Sequence, residues 1–290
     1  MSVISKHWLD FAPVIFLCLW SGGYATAKLG LQYAEPLTFL AIRFASVVVI
    51  MLLLFFYLRP ALPQTRAEWL HLAVVGFLLQ SVYFGFSYLG FAAGVAAGTL
   101  ALIMSLQPVL VGLIAPSWNA ESVSWQRYCG LALGLVGVAI VIISRSGIEP
   151  PSFIGFGCAL FALCGITVGS LWEKRYGVSQ HPVVANLVGY TVGLLGIVPF
   201  VFLLETRAVV WTTELVAALA YLVIGNSVIA VGLLLAMIRA GEVSRVSALL
   251  YLVPPIAALI AWLLLGEVMP VLAWPGIAIA AAGVYIATRY

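Results

Sequence analysis

The sequence SALLYLVPPIAALIAWLLLGE (residues 247–267) is an apolar run long enough to cross a bilayer, yet it carries two adjacent prolines and ends in a carboxylate. A proline inside a helix removes a backbone hydrogen bond and bends the helix. A second stretch, ALIMSLQPVLVGLIAPSWNAE (residues 101–121), has the same design 146 residues earlier. We predict that both stretches are transmembrane helices, kinked near mid-span by Pro108 and Pro254.

The composition is that of an integral membrane protein. Of 290 residues, 64% are hydrophobic and 8% are charged, whereas soluble domains average about 25% charged residues. Apolar segments of about 20 residues recur along the whole chain with short polar gaps. We therefore predict an all-α integral membrane fold with ten transmembrane helices. The predicted spans are residues 8–30, 36–58, 68–90, 94–116, 125–144, 152–174, 182–204, 214–238, 243–264 and 268–288.

An internal repeat with a constant offset of 146 residues organises the chain. Charged residues are scarce here, so matched lysines, glutamates and helix-interior prolines indicate duplication. The matched pairs include Gly23/Gly169, Lys28/Lys174, Pro36/Pro182, Gln80/Asn226, Ser81/Ser227, Pro108/Pro254, Glu121/Glu267, Gly130/Gly276 and Gly137/Gly283. We predict two five-helix repeats, residues 1–146 and 147–290. Because five is odd, the second repeat is inverted, an architecture typical of alternating-access transporters with a substrate site between the repeats.

The basic residues predict the orientation in the membrane. Nine lie on one side of the ten-helix alternation: Lys6, Arg59, Arg66, Arg127, Lys174, Arg175, Arg239, Arg245 and Arg289. Three lie on the other side: Lys28, Arg145 and Arg207. By the positive-inside rule, we predict that both termini are cytoplasmic. We expect the protein to lie in a bacterial-type cytoplasmic (inner) membrane, in contact with membrane lipids. The basic residues are too scattered to favour nucleic-acid binding.

Small and hydroxylated residues share a helix face with each mid-span proline. Ser105 precedes Pro108 on one face, and Ser247 and Tyr251 precede Pro254 on the equivalent face. Backbone groups freed by a proline are tolerated in a membrane where they face protein or a water-filled cavity. These faces are candidate cavity walls. The alternative is a packing kink in which the serines bond back to their own helix.

The third helix of each half supplies further polar groups. Gln80, Tyr83 and Ser87 lie on one face of helix 3, and Asn226 and Ser227 lie at the matching depth in helix 8. An amide at mid-membrane usually faces the bundle interior, because exposing it to lipid is costly. We regard these residues as substrate-binding candidates. Hydrogen bonding between helices is the open alternative for the two amides.

Helices 1 and 2 each contribute one further feature. Trp20 and Tyr24 stand one turn apart beside two glycines, an arrangement that suits a substrate with an apolar or ring-bearing side chain. Arg43 is the one charge clearly embedded in a predicted span. Two roles are open for it: its side chain snorkels to the outer interface, or it binds a substrate carboxylate.

Glycine and alanine dominate helices 5 and 10, in GLALGLVG (residues 130–137) and GIAIAAAG (residues 276–283). Such sequences permit close contact between helices. We expect these two helices to form a peripheral scaffold between the halves and the protein to be a monomer, with a homodimer interface as the less favoured role.

Other functional classes find little support. The four cysteines lie in apolar spans without a C-x-x-C spacing, so we interpret them as core residues and predict neither metal nor cofactor. His7, His71 and His181 lie near span ends without the pattern of an intramembrane enzyme. A channel is less favoured, because no ring-forming acidic or carbonyl motif is present.

Several of these motifs resemble signatures of the EamA-type members of the drug/metabolite transporter superfamily. They are LWSGGYATAKLGL with PLTFLAIRF (residues 19–31 and 36–44), and SALLYLVPPIAALIAWLLLGE with GIAIAAAGVYIATR (residues 247–267 and 276–289). The resemblance covers nearly the entire chain. It implies an inverted five-plus-five fold, a cavity lined mainly by helices 1, 3, 4, 6, 8 and 9, and transport of small metabolites. The similar members are bacterial amino-acid exporters, including exporters of aromatic amino acids.

The resemblance also assigns individual positions. It implies that Pro108 and Pro254 are the family's kink prolines and that Glu267 ends its GE motif, whereas Glu121 follows alanine instead of glycine. The small four-helix drug exporters of the superfamily carry a proton-exchanging glutamate in helix 1, and this chain has none between Phe11 and Ala27. We therefore hypothesise a facilitator. A proton-coupled multidrug or other metabolite exporter is the alternative.

Overall fold

The protein is an all-helical bundle. A computed structural model describes residues 4–114, 124–145, 152–177, 180–231, 233 and 252–289. Ten helices lie within these residues, which confirms the predicted number. They are α1 (Ile4–Gly30), α2 (Pro36–Leu58), α3 (Arg66–Ala92), α4 (Ala97–Ile114), α5 (Trp125–Arg145), α6 (Phe153–Tyr176), α7 (Pro182–Leu204), α8 (Thr213–Ala230), α9 (Val253–Leu265) and α10 (Ala273–Arg289).

The helices have the length and apolarity of membrane spans. Seven described helices, α2 through α8, are long and apolar enough to cross a bilayer, and α9 and α10 are shorter apolar helices. Large apolar side chains point out of the bundle, among them Phe56, Phe153 and Leu203, which are 68%, 91% and 77% exposed. In water such a surface would drive aggregation, whereas in lipid it is the expected exterior. The protein is a multi-pass membrane protein.

One predicted boundary needs correction. The tenth helix begins at Ala273 instead of residue 268, because Pro270 disfavours helical geometry at the residue before it. Pro254 lies in the first turn of α9, and residues 243–251 of the predicted ninth span are outside the described part of the chain. In the first half, α4 is interrupted by a turn at Ser105 and Leu106, just before Pro108.

The duplication is visible in the backbone of α3 and α8. Each helix contains a π-helical segment, Phe77–Phe84 in α3 and Tyr221–Ala230 in α8. A π-helix hydrogen-bonds each residue to the fifth along and is rare, so its recurrence at the 146-residue offset marks the two helices as equivalents. Gln80 and Asn226 occupy matching places in the two segments. The exact boundary between repeats remains a prediction.

The two halves meet along α5 and α10, where glycines bring the helix backbones into contact. A Cβ atom added to Gly130 would lie 2.6 Å from the Gly283 carbonyl oxygen. A Cβ added to Gly137 would lie 2.5 Å from the Gly276 carbonyl oxygen. Glycines that are equivalent in the two repeats therefore lie on opposite sides of one helix interface, which we call the α5–α10 seam. The predicted close contact between these helices is confirmed.

The cysteines differ from expectation. All four are free, and Cys18, Cys129 and Cys164 are exposed on the helix bundle, while Cys158 is half-buried. The interpretation of all four as core residues was wrong. A small apolar side chain costs nothing when it faces lipid, so hydrophobicity alone does not separate the lipid-facing side of a helix from its core-facing side.

The α5–α10 seam should be intolerant of added volume. We expect Gly137→Leu to lower the free energy of unfolding by about 1–3 kcal/mol or more, because the new side chain would collide with the backbone of α10. Denaturant unfolding in detergent measures the change.

Gly157→Leu is the matched control, since a Cβ at Gly157 in α6 has no neighbour within 4 Å. Equal losses in the two variants would contradict the importance of the seam.

Candidate substrate cavity

A cavity of about 420 Å³ lies between the two halves. This volume is in the range of small-molecule sites, about 300–1,000 Å³. Side chains of α1, α3, α4, α6 and α8–α10 line it, and so do those of α7, so α7 and α10 join the six helices that the family resemblance implied. The wall includes seven of the candidate residues: Trp20, Tyr24, Gln80, Tyr83, Ser105, Pro108 and Asn226.

One part of the cavity wall is aromatic. Trp20, Tyr24, Tyr83 and Phe84 all contribute to it. The Tyr24 and Tyr83 hydroxyl oxygens lie 3.4 Å apart, and the rings of Tyr83 and Phe84 are 4.6 Å apart between centroids. These contacts hold the rings in fixed orientations before any ligand arrives. Such a wall favours an apolar or aromatic ligand group.

The serine hydroxyls are partly used within their own helices. Ser105 donates a 2.6 Å hydrogen bond to the carbonyl of Leu102, and Ser87 donates a 2.7 Å hydrogen bond to the carbonyl of Tyr83. Ser105 nevertheless lies on the cavity wall. The serines were predicted either to line the cavity or to bond back to their own helix. Their hydroxyl hydrogens do bond back to the helix, and each hydroxyl oxygen can still accept a hydrogen bond.

Gln80 differs from the other polar groups of the wall. Its Oε1 atom is buried and has no hydrogen-bond partner among the described residues. An unpaired buried acceptor costs about 1–3 kcal/mol. By contrast, Gln107 donates a 2.8 Å hydrogen bond to the Ser170 hydroxyl, which joins α4 to α6 across the cavity. Gln80 therefore lines the cavity and carries a buried acceptor without a donor among the described residues.

Arg43 lies inside the bundle beside the cavity. Its side chain is only 1% exposed, so the possibility that it snorkels to the interface is excluded. Its guanidinium donates 3.1 Å hydrogen bonds to the Tyr88 hydroxyl, Asn226 Oδ1 and the Ser227 hydroxyl, and it stands 4.7 Å from the centre of the Phe84 ring. All four partners are uncharged. The Arg43 Nε atom has no partner among the described residues.

Asn226 connects this cluster to α1. Its Nδ2 donates a 3.2 Å hydrogen bond to the Leu19 carbonyl while its Oδ1 accepts from Arg43. Gly23 makes room for it, since a Cβ there would lie 2.6 Å from Nδ2. Asn226 thus both lines the cavity and hydrogen-bonds between helices, so the two roles considered for it coexist.

A second, smaller cavity of about 30 Å³ adjoins Arg43. Ser87 and Tyr88 help to line it, and it shares Trp20, Tyr24, Tyr83, Phe84 and Asn226 with the larger cavity. Since one water needs about 10–15 Å³, this space accepts about two water-sized groups.

Some candidates are untested, and some lining residues escaped sequence reasoning. Ser247, Tyr251 and Glu121 lie outside the described residues. Tyr88 was missed, although it follows Ser87 directly on a helix already chosen for its polar residues. Asn186 was missed in α7 for lack of a matching polar residue in the first half.

Carboxylates join the ends of several helices at the end of the bundle near Glu205 and Glu267, and we call it the clamped end. Glu205, after α7, accepts 2.7 Å hydrogen bonds from the backbone N–H groups of Leu37 and Thr38. The Thr38 hydroxyl donates to the same carboxylate at 2.7 Å. A carboxylate at these unpaired N–H groups is favourable, because it complements the positive N-terminal end of α2.

Glu35 makes the reverse contact. It accepts hydrogen bonds from the Thr206 N–H, the Thr206 hydroxyl and the Ala208 N–H at 3.1–3.2 Å, beside a β-bridge between Ala34 and Val209. Desolvation raises the pKa of Glu35, but the hydrogen bonds from Thr206 and Ala208 lower it more, so the pKa lies below its ordinary value. A lowered pKa means that the contact contributes at neutral pH and weakens as the pH falls through that lowered pKa and the carboxylate is protonated.

Glu267 completes the clamped end. Its carboxylate accepts a 2.7 Å hydrogen bond from Lys28 Nζ and 3.2 Å hydrogen bonds from the Ala97 N–H at the start of α4. The side chain of Glu267 is 7% exposed and that of Lys28 is 21% exposed. One carboxylate from the second half therefore joins α1 and α4 of the first half.

A duplicated helical membrane protein with a metabolite-sized cavity between its halves has the architecture of a secondary transporter. The chain belongs to the EamA-like transporter family, whose model matches residues 8–143 and again residues 153–289. This family consists of transporters, so the chain is not an enzyme.

Two curated relatives are similar over much of the chain. The "Probable amino-acid metabolite efflux pump" of Salmonella typhimurium is 26% identical over 95% of this chain and 93% of its own. The "Probable terminal-alkyne amino-acid exporter" of Streptantibioticus cattleyicolor is 30% identical over 67% of this chain and 65% of its own. A solved crystal structure with 18% identity matches 96% of both chains with a TM-score of 0.62, which shows a shared fold.

The Glu267 contact can be tested by exchanging its charges. We expect Glu267→Lys to lower the free energy of unfolding by about 1–3 kcal/mol, because it places two cations together and leaves the Ala97 N–H without this acceptor. The double variant Lys28→Glu/Glu267→Lys should recover part of the loss by restoring an ion pair. Thermal unfolding of the two single variants and the double variant measures the coupling, and additive losses would contradict it.

Proposed function

We propose that the protein exports neutral amino acids, aromatic ones foremost, across the cytoplasmic membrane by alternating access. The observation that carries this proposal is the wall of the central cavity, where aromatic rings stand beside amide and hydroxyl groups. Among the described lining residues there is no carboxylate. Such a wall matches a ligand that combines an apolar side chain with a polar, electrically neutral zwitterionic head. The names of the two relatives, an amino-acid metabolite efflux pump and an amino-acid exporter, point to the same class.

The direction of transport is argued from the clamped end. By the positive-inside rule, the connections that carry Glu35, Glu205 and Glu267 face away from the cytoplasm. Asn186, near the beginning of α7, and Gln107, in the second half of α4, line the cavity toward the opposite end. Helices joined at the outer end, with a polar lining that reaches toward the cytoplasm, suit loading of an exported substrate from inside the cell.

The mechanism that fits is facilitated movement down the substrate gradient. Proton coupling in a transporter ordinarily requires a titratable group within the membrane. Three of the described carboxylates, Glu35, Glu205 and Glu267, are instead hydrogen-bonded at the clamped end of the bundle. A uniporter needs no proton-carrying residue in its cavity wall, which agrees with this arrangement.

Counterflow in liposomes tests this function. Liposomes that contain the purified protein and are preloaded with unlabelled phenylalanine should take up labelled phenylalanine transiently, in the absence of any ion gradient. This uptake should saturate and should be inhibited by other neutral amino acids. Trp20→Leu should reduce this exchange, because it removes a ring from the cavity wall.

Trp211→Leu is the matched control, since Trp211 is 63% exposed in the connection before α8. Uptake that appears only with an imposed pH gradient, or only with cationic drugs, would overturn the proposal in favour of a coupled multidrug exporter.

A further inference from the structure

Arg43 breaks the symmetry of the repeat. At the 146-residue offset its equivalent is Gly189, where the backbone of α7 packs against Gly76 of α3. The equivalent position of α7 in the second half therefore carries no charge. A cation buried in a membrane without an anionic partner is costly, and such residues commonly mark a substrate or ion pathway.

The hydrogen bonds of Arg43 leave capacity for a ligand. Its guanidinium offers five N–H donors, and three hydrogen bonds to neutral oxygens are made. The Nε–H is buried and unpaired among the described residues. The small cavity that Arg43 helps to line, about 30 Å³, has room for two oxygen-sized groups. A carboxylate supplies two such oxygens and the missing negative charge.

Gln80 supplies a complementary unpaired acceptor. Its buried Oε1 is an acceptor without a donor among the described residues, and it lies on the wall of the larger cavity. Tyr24, Tyr83 and Phe84 belong to the walls of both cavities, so the two spaces adjoin. An unpaired donor at one cavity and an unpaired acceptor at the adjoining cavity are the complement of a zwitterion, whose carboxylate accepts and whose ammonium donates.

We infer that Arg43 and Gln80 are specificity-determining residues that bind the head group of an α-amino acid. Arg43 receives the carboxylate in the small cavity, and Gln80 Oε1 accepts a hydrogen bond from the ammonium group. The side chain of the ligand then lies among the aromatic rings of the larger cavity. This inference rests on the proposed function and narrows it to free α-amino acids, as opposed to amines or carboxylic acids.

A ligand series on the unmodified full-length protein is the first test. Phenylalanine, phenethylamine, which lacks the carboxylate, and 3-phenylpropanoate, which lacks the ammonium group, compete for labelled phenylalanine in detergent. We expect each truncated ligand to bind at least about tenfold more weakly than phenylalanine, as the loss of one charge-assisted hydrogen bond implies. Equal competition by phenethylamine would overturn the role of Arg43.

Two variants assign each half of the head group. Arg43→Gln should weaken phenylalanine binding by about tenfold or more while phenethylamine binding stays within about twofold. Gln80→Met should weaken phenylalanine binding and leave 3-phenylpropanoate binding unchanged. If Arg43 only supported the fold, Arg43→Gln would weaken all three ligands in parallel, which would overturn the inference. Arg66→Gln, an exposed position at the start of α3, is the control.

Asn226→Asp keeps the inference falsifiable if Arg43→Gln does not fold. The new carboxylate would pair with Arg43 within the protein and compete with the ligand carboxylate, so phenylalanine binding should fall and phenethylamine binding should not. Unchanged phenylalanine binding would overturn the inference.

If the unmodified protein exchanges phenylalanine without preference for the carboxylate, only the head-group assignment fails. If it exchanges no amino acid, the proposed function fails and the assignment with it.

Discussion

A guanidinium can remain charged inside a membrane only where protein groups replace the water it has lost. Arg43 of α2 meets this requirement through α3 and α8, and Asn226 extends the same hydrogen bonds to the backbone of α1. Four helices from both halves are thereby arranged around one cation. The aromatic wall and the cavity lie next to this cluster, so their geometry depends on how those four helices are held.

The two halves share a framework but differ in chemistry. Gln80 and Asn226 stand at equivalent places in equivalent π-helical segments, yet Asn226 bonds with both ends of its amide, whereas the Gln80 oxygen has no described partner. Arg43 and Gly189 differ more, since one carries a charge and the other permits a backbone contact. Two repeats with equivalent backbones can move in equivalent ways, while their different lining side chains bind a ligand that has no symmetry.

Much of the fold could be predicted, because membrane helices are specified by local apolarity and by glycines that permit close packing. The ten helices and the α5–α10 contact follow from these local properties. The lining was harder, because the partners of Arg43 come from sequence positions up to 184 residues away, and a serine such as Ser105 carries no sign of which acceptor it will choose. The exposed cysteines were misplaced because lipid and core are similarly apolar.

The π-helical segments also record how the chain arose. A π turn usually comes from one extra residue in an α-helix, and adding that residue to only one half would shift the offset between the halves beyond that point. The 146-residue offset is the same before the segments, at Lys28 and Lys174, and after them, at Gly130 and Gly276. The constant offset is what remains when both halves descend from a single five-helix ancestor that already had the wide turn.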